Sequence, residues 1–155
     1  MEADFIVSGK TGKGYLLTVV DRTIRVGCIR KILPVTIAGM EQAFLDVKAQ
    51  FPELLSVTTD NDLLFQHHER LETLLGIPIY FCDPYASWQK GSIENYNKQV
   101  RKYIPKGTDI SLYSEDYIQL VQHRLNDRFM SVIDYRTPAE CLTAHRTHTK
   151  KETSR

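Results

Sequence analysis

Cysteine, tryptophan and long apolar runs are scarce in this sequence. It contains one tryptophan and three cysteines. The cysteines, Cys28, Cys82 and Cys141, are far apart and lack the spacing of a metal site, so we expect the reduced thiols of a cytoplasmic protein. No apolar run approaches the length that spans a membrane, and none at the N-terminus is typical of a signal peptide. The sequence therefore predicts no association with a membrane.

A large excess of charge of one sign is also missing, since the formal net charge is +1. The distribution of charge is more informative than this sum. Between positions 90 and 106 five basic residues accompany a single acid, Glu94; the bases are Lys90, Lys98, Arg101, Lys102 and Lys106. From position 143 the sequence is polar and basic without apolar periodicity, which predicts a disordered tail.

The composition is that of a folded globular domain. Hydrophobic residues make up 42% of the sequence and charged residues 25%. A length of 155 residues suits one domain with one core. We predict a folded domain over 1–142 and a basic, disordered tail over 143–155.

Apolar periodicity predicts an α/β protein. Runs with strand character lie at 5–7, 15–20, 26–32, 54–59 and 77–81, and helical spacing occurs at 37–51, 63–75, 93–104 and 117–129, with a last short helix from 138. Ser92 is the predicted N-cap of the third helix. This order predicts a five-stranded mixed sheet flanked by helices, with the strand that follows Asp4 at a central position.

Three acidic residues are placed where α/β proteins assemble sites. Asp4 begins a strand, Asp60 follows one, and Glu94 lies in the first turn of a helix. Carboxylates that converge repel one another unless they share a cation, and their oxygens suit Mg²⁺ or Mn²⁺. At about 100° per residue, Glu94, Lys98 and Arg101 share one helix face. An acid for a metal beside bases for phosphate is suited to phosphodiester chemistry.

The pattern alone favours a structural interpretation of these acids. With 19 acidic residues, pairs separated by this interval arise by chance. Glu94 can simply stabilise its helix N-terminus and pair with Lys98 four residues later. Glu2 is interpreted as an exposed acid at a strand end, and Trp88 as a residue that packs within its loop. For Lys90, Lys98 and Arg101, phosphate contact and a solvated helix face remain equally open.

Longer motifs resemble the integrase core of bacterial insertion-sequence transposases. The motifs are EADFIV at 2–7, TTDN at 58–61, DPYASWQKGSIENYN at 83–97, PKGTD at 105–109, LNDR at 125–128 and YRTPAE at 135–140. The resemblance covers residues 2 to 142, and the block at 83–97 is the most specific part of it. The chain departs from the family pattern at Asp62 and Leu64, where the family usually has glycine and glutamate.

The resemblance implies a ribonuclease H-like fold and a polynucleotidyl transferase. Asp4, Asp60 and Glu94 would be the catalytic triad and would hold two Mg²⁺ or Mn²⁺ ions. Asn61, His68 and Asn97 match accessory positions, and Lys90, Lys98, Arg101 and Lys102 are the candidate DNA contacts. The implied activity is strand cleavage and strand transfer at the ends of an insertion sequence.

The resemblance also implies the partners and the setting of the protein. Double-stranded DNA would be the substrate, a homodimer or higher multimer the assembly, and the nucleoid of a bacterial cytoplasm the location. The family carries a helix-turn-helix region before the first acid, so we expect an excised catalytic domain or a truncated gene product.

Two other functions remain compatible with the sequence. The first is a nuclease of the same fold that acts on RNA–DNA hybrids or branched DNA. The second is a transposase fragment without activity that serves as a DNA-binding or oligomerisation module.

Overall fold

Strand β1 lies at the centre of a five-stranded mixed sheet. The computed structural model describes residues 1–154, without the side chain of Ser87. The strands are β1 Glu2–Val7, β2 Tyr15–Val20, β3 Gly27–Ile32, β4 Val57–Thr59 and β5 Ile79–Phe81, in the order β3-β2-β1-β4-β5. Strand β1 pairs antiparallel with β2 and parallel with β4. The predicted sheet and the central position of β1 are confirmed.

Helices cover both faces of this sheet. They are α1 Ile37–Gln50, α2 His68–Leu75, α3 Gly91–Val100, α4 Glu115–Asn126 and α5 Pro138–Thr153. Single-turn 3-10 helices occur at Leu63–Phe65, Ser87–Lys90, Ile110–Leu112 and Ser131–Ile133. Among residues 1–154, no helix combines the length and the apolar character needed to cross a membrane.

Strand β2 separates two hydrophobic cores. Leu17 and Val19 point into the core formed with α1 and α2, whereas Leu16 and Val20 point into the core formed with α3 and α4. Successive residues of a strand face opposite sides of the sheet. Because both sides are covered here, all four side chains are buried. This strand is therefore buried on both faces.

The edge of the sheet at β3 is covered by polar side chains of α4. The amide of Asn126 accepts a hydrogen bond from the N–H of Gly27 at 2.8 Å and donates one to its carbonyl at 2.8 Å. Gln122 accepts from the N–H of Ile29 at 2.8 Å. A Cβ on Gly27 would lie 2.2 Å from the ring of Tyr96 in α3, so glycine is required for this close approach.

Two predicted helix boundaries are wrong. The segment predicted as one helix over 63–75 begins as a 3-10 turn and becomes α-helical only at His68. The side chain of Asp62 accepts from the N–H of Leu64 at 2.9 Å and so caps this turn, which gives the departure from the family pattern at Asp62 a local structural role. Ser92 is not an N-cap, because α3 begins at Gly91 and the Ser92 hydroxyl accepts from Arg25.

Helix α5 is longer than the sequence indicates. It continues to Thr153, so residues 143–153 of the predicted disordered tail are helical; Arg155 lies outside the described residues. The helix starts with a complete capping box formed by Thr137 and Glu140. Farther along, Arg146 forms an ion pair with Glu53 at 2.5 Å and donates to the carbonyl of Gln50. These polar contacts hold the helix against a distant segment, and a search for apolar periodicity in the sequence does not detect them.

Candidate functional site

Two of the predicted acids meet where β1 and β4 run side by side. The parallel register pairs Glu2 with Thr58. Continuing both strands by two residues places Asp60, just after β4, beside Asp4. Strand pairing therefore brings together two carboxylates that lie far apart in the sequence.

The ammonium group of Lys90 lies between these carboxylates. Its Nζ is 3.0 Å from Oδ2 of Asp60 and 3.8 Å from Oδ1 of Asp4. The side chain of Lys90 is only 11% exposed, whereas that of Asp60 is 54% exposed. The sequence leaves phosphate contact and a solvated helix face open for Lys90; in this structure its ammonium neutralises part of the charge of the acidic pair.

Burial and neighbouring charges shift the pKa values of this cluster. Burial raises the pKa of Asp4; Lys90 opposes this effect, and the charge of Asp60 adds to it. Burial alone would lower the pKa of Lys90. The hydrogen bond to Asp60 and the charge of Asp4 outweigh it, so the pKa of Lys90 is raised. Lys90 is therefore fully charged at neutral pH.

Asp4 is also connected to helix α3 through Asn97. The amide of Asn97 donates to Oδ2 of Asp4 at 2.9 Å and accepts from the hydroxyl of Thr18 in β2 at 2.7 Å. The N–H of Phe5 donates to Oδ1 of Asp4 at 2.9 Å. Of the three predicted accessory residues, Asn97 is thus the one that touches an acid of the pair.

Glu2 holds the N-terminus of α3 against β1. It is 2% exposed, so its interpretation as an exposed strand-end acid is wrong. Its carboxylate accepts from the N–H of Ile93 and from Arg22, both at 2.7 Å. Arg22 in turn donates to the carbonyl of Gln89 at 2.7 Å. The alternation of β1 indicated that Glu2 and Asp4 share a face, but the partners of Glu2 come from distant segments.

Glu94 stands apart from the acidic pair in this structure. It is exposed on the first turn of α3, whereas Ile93, Tyr96 and Val100 of the same helix are buried. Within residues 1–154, no three acidic, histidine or cysteine side chains are grouped closely enough to hold a metal ion. Nevertheless Glu94 and Asn97 are three residues apart on α3, a spacing that makes them surface neighbours. Glu94 as the third ligand stays a prediction.

Curated relatives of this chain are transposases of bacterial insertion sequences. The transposase for insertion sequence element IS4351 of Bacteroides fragilis is 36% identical over 141 residues, which cover 90% of this chain and 43% of that protein. Transposase InsI for IS30C of Escherichia coli strain K12 is 32% identical over 139 residues, covering 88% and 36%. The chain is related to insertion-sequence transposases. It spans less than half the length of these two relatives.

Solved structures of similar fold are catalytic cores of retroviral integrases. The catalytic core domain of BIV integrase has a TM-score of 0.71 at 21% identity, covering 97% of this chain and 96% of that one. The HTLV-2 integrase catalytic core domain, solved in complex with magnesium in a trimeric form, has a TM-score of 0.69 at 19% identity, covering 90% and 92%. At such identities the likeness shows the fold alone, and it confirms the predicted ribonuclease H-like fold. No family model matches the chain.

The remaining predicted DNA contacts of this transposase-related core differ in their exposure. Lys98 and Lys102 are exposed. Arg101 is half-buried, since its guanidinium donates to the carbonyl of Val7 at 3.1 Å and to that of Pro105 at 3.4 Å. Arg101 thus ties α3 to the end of β1 and is less available to DNA than Lys98 and Lys102.

Within residues 1–154, the side chains of the other accessory candidates form no hydrogen bond with Asp4 or Asp60. Asn61 is exposed next to Asp60. The ring of His68 packs edge-on against Phe81, with centroids 4.9 Å apart. Trp88 is 79% exposed, so the predicted packing within its loop is wrong. The loop is instead held by Gln89, which pairs with the backbone N–H and carboxylate of Asp83 at 3.0 and 3.1 Å.

Proposed function

We propose that this chain is the catalytic core of a DNA transposase, which cleaves strands at insertion-sequence ends and transfers them to target DNA. The proposal rests on one observation. The carboxylates of Asp4 and Asp60 are aligned and lie around a shared cation. The relatives support it, because all those reported above are named transposases. Asp4, Asp60 and Glu94 are the proposed catalytic triad.

The acidic pair is chemically suited to a divalent metal. Carboxylate oxygens are the ligands that Mg²⁺ and Mn²⁺ prefer. The ammonium of Lys90 already occupies a position within 3.8 Å of an oxygen from each acid, which makes it a stand-in for a metal cation. Two metal ions at such a site would activate the attacking water or 3′-hydroxyl and stabilise the leaving oxygen.

The protein's own residues prepare this site. Asn97 orients one oxygen of Asp4 and leaves the other facing Lys90. Glu2 accepts from the N–H of Ile93, the residue before Glu94, and so holds the first turn of α3 in place. Glu94 is exposed in this turn, and its carboxylate would complete the proposed ligand set.

Exposed lysines in the segment that follows Glu94 support double-stranded DNA as the substrate. Lys98 and Lys102 belong to the same chain segment as Glu94 and lack ion pairs within residues 1–154. Such side chains neutralise phosphates without reading sequence. We further propose that the core acts as a homodimer or higher multimer, in line with the trimeric form named for the HTLV-2 core.

Replacing Glu94 tests the proposed triad. Glu94→Gln removes a ligand charge from an exposed side chain, so we expect strand cleavage and joining to fall at least a hundredfold while the fold is kept. The assay is Mn²⁺-dependent cleavage of labelled DNA carrying the ends of the element that encodes the protein. Glu69→Gln is the matched control, since Glu69 is an exposed acid in the first turn of α2.

The same assay separates the alternatives. Undiminished cleavage by Glu94→Gln would remove Glu94 from the site. Cleavage of RNA–DNA hybrid in preference to element ends would favour the nuclease. A folded wild-type protein that binds DNA but never cleaves it, even within a longer chain that carries the upstream region, would favour the module without activity.

A further inference from the structure

The position of Lys90 is unusual for a lysine next to a DNA-processing site. Its ammonium faces inward, within reach of both Asp4 and Asp60, rather than outward into solvent. The other lysines of the segment 90–106, Lys98, Lys102 and Lys106, are exposed. Fixing the buried lysine stem and its paired ammonium in one conformation costs side-chain entropy. The contacts with the two acids must offset that cost.

The loop that carries Lys90 is built to hold it in place. The carbonyl of the preceding residue, Gln89, accepts from Arg22, and its side chain is paired with Asp83. Arg22 is itself paired with the buried carboxylate of Glu2. The backbone before Lys90 is therefore anchored on two sides, and the ammonium position follows from the fold rather than from a free surface side chain.

We infer that Lys90 is a resident counter-ion of Asp4 and Asp60, which competes with the divalent metal and must leave before the metal can bind both acids. The inference rests on the proposed function, because it concerns the same metal site. Only the lysine stem needs to rotate, since the anchored loop can remain where it is.

Simple electrostatics makes the two occupants mutually exclusive. A divalent ion held by the same carboxylates would lie close to the ammonium, and two cations that close together repel strongly. The apparent metal affinity is then the intrinsic affinity reduced by the fraction of protein in which Lys90 has left. In the metal-free protein the negative charge of the two acids is partly neutralised. The affinity of the site for the metal is lowered as a result.

Metal affinity without any DNA tests the inference. Lys90→Met keeps the length of the stem and removes the charge. We expect its Mn²⁺ dissociation constant to fall by about fivefold, the scale of a partly exposed ion pair. Lys90→Arg keeps the charge and should bind Mn²⁺ like wild type. Lys106→Met is the matched control, because Lys106 is exposed and has no ion pair within residues 1–154.

Each folded protein is titrated with Mn²⁺ by calorimetry, and every outcome either supports or overturns the inference. Equal or weaker Mn²⁺ binding by Lys90→Met than by wild type overturns the inference and leaves the metal site intact. Absence of Mn²⁺ binding in all variants, including Lys90→Met, overturns both the inference and the proposed metal site. If Lys90→Met does not fold, Lys90→Gln replaces it with the same expected fivefold gain.

Discussion

Lys90 sets the charge of the candidate site at the scale of single residues. Asp4 is mostly buried and its pKa is raised, so an unopposed second carboxylate beside it would be unfavourable. The 3.0 Å contact between Lys90 and Asp60 relieves this repulsion in the metal-free protein. Replacing Asp60 therefore does more than relieve its repulsion with Asp4. It also removes the ion-pair partner of the half-buried Lys90 ammonium.

Asp60→Asn should have a small effect without metal and a large effect on the response to metal. In the presence of a chelator we expect the free energy of unfolding to change by less than about 1 kcal/mol, because Asp60 is largely exposed. With Mn²⁺ at about a hundred times its dissociation constant, wild type should gain about 2.7 kcal/mol, and Asp60→Asn should gain much less. Urea unfolding with and without Mn²⁺ measures both.

Asp46→Asn is the control for the metal response, because Asp46 is exposed on α1. It should keep the full gain in stability with Mn²⁺. A metal response in Asp60→Asn as large as in wild type would mean that Asp60 is not a ligand.

At the scale of elements, α4 completes the sheet at β3. The outer backbone groups of an edge strand need partners, and Asn126 provides both a donor and an acceptor for Gly27. The same contact brings β3 close to Tyr96 of α3. The LNDR motif at 125–128, which contributes to the family resemblance, therefore has a structural role at this edge.

Asn126→Ala should destabilise the domain strongly. The substitution leaves a buried N–H and a buried carbonyl of Gly27 without partners, at about 1–3 kcal/mol for each group. We expect a loss of about 2–4 kcal/mol in the free energy of unfolding, measured by urea denaturation. Gln119→Ala is the matched control on the same helix; its amide makes only a 3.4 Å contact with the carbonyl of Ile29 and should cost under about 1 kcal/mol. Equal losses in both variants would contradict this role of Asn126.

At the scale of the whole molecule, the near-neutral net charge hides an uneven distribution. One group of exposed bases, Lys98 and Lys102, follows Asn97, which contacts Asp4, and a second, Lys150 and Lys151, lies on α5. Helix α5 packs through Leu142 against the core formed with α1 and α2, whereas α3 packs in the core on the other face of the sheet. Binding of DNA at the acids should therefore depend on one basic group and not on the other.

The salt dependence of DNA binding separates these two groups. A Lys98→Ala, Lys102→Ala double variant should bind duplex DNA more weakly and reduce the slope of log K against log salt by about one to two units. The Lys150→Ala, Lys151→Ala double variant removes the same charge and should leave the slope nearly unchanged. Fluorescence anisotropy across a salt series measures both. Equal losses of slope would indicate diffuse binding over the whole surface.

Local patterns in the sequence were enough to predict most of the elements. Alternation and helical spacing identified the five strands and the buried face of α3, because these periods follow directly from backbone geometry. They also placed Glu94 on the exposed face of α3. Helix ends were less well predicted, since Asp62 and Glu2 cap turns and helices through side chains that periodicity does not detect.

The sequence by itself determined the α/β class, the central strand and, through family motifs, the identity of the candidate acids. The tertiary structure alone decided which of these groups meet. Asp4 and Asp60 are aligned by the parallel register of β1 and β4, Glu2 is buried by partners from two distant segments, and Lys90 turns inward because its loop is anchored to Arg22. Each of these facts depends on contacts between residues far apart in the chain. Local periodicity carries no information about such contacts, because it reports only on neighbours within a few residues.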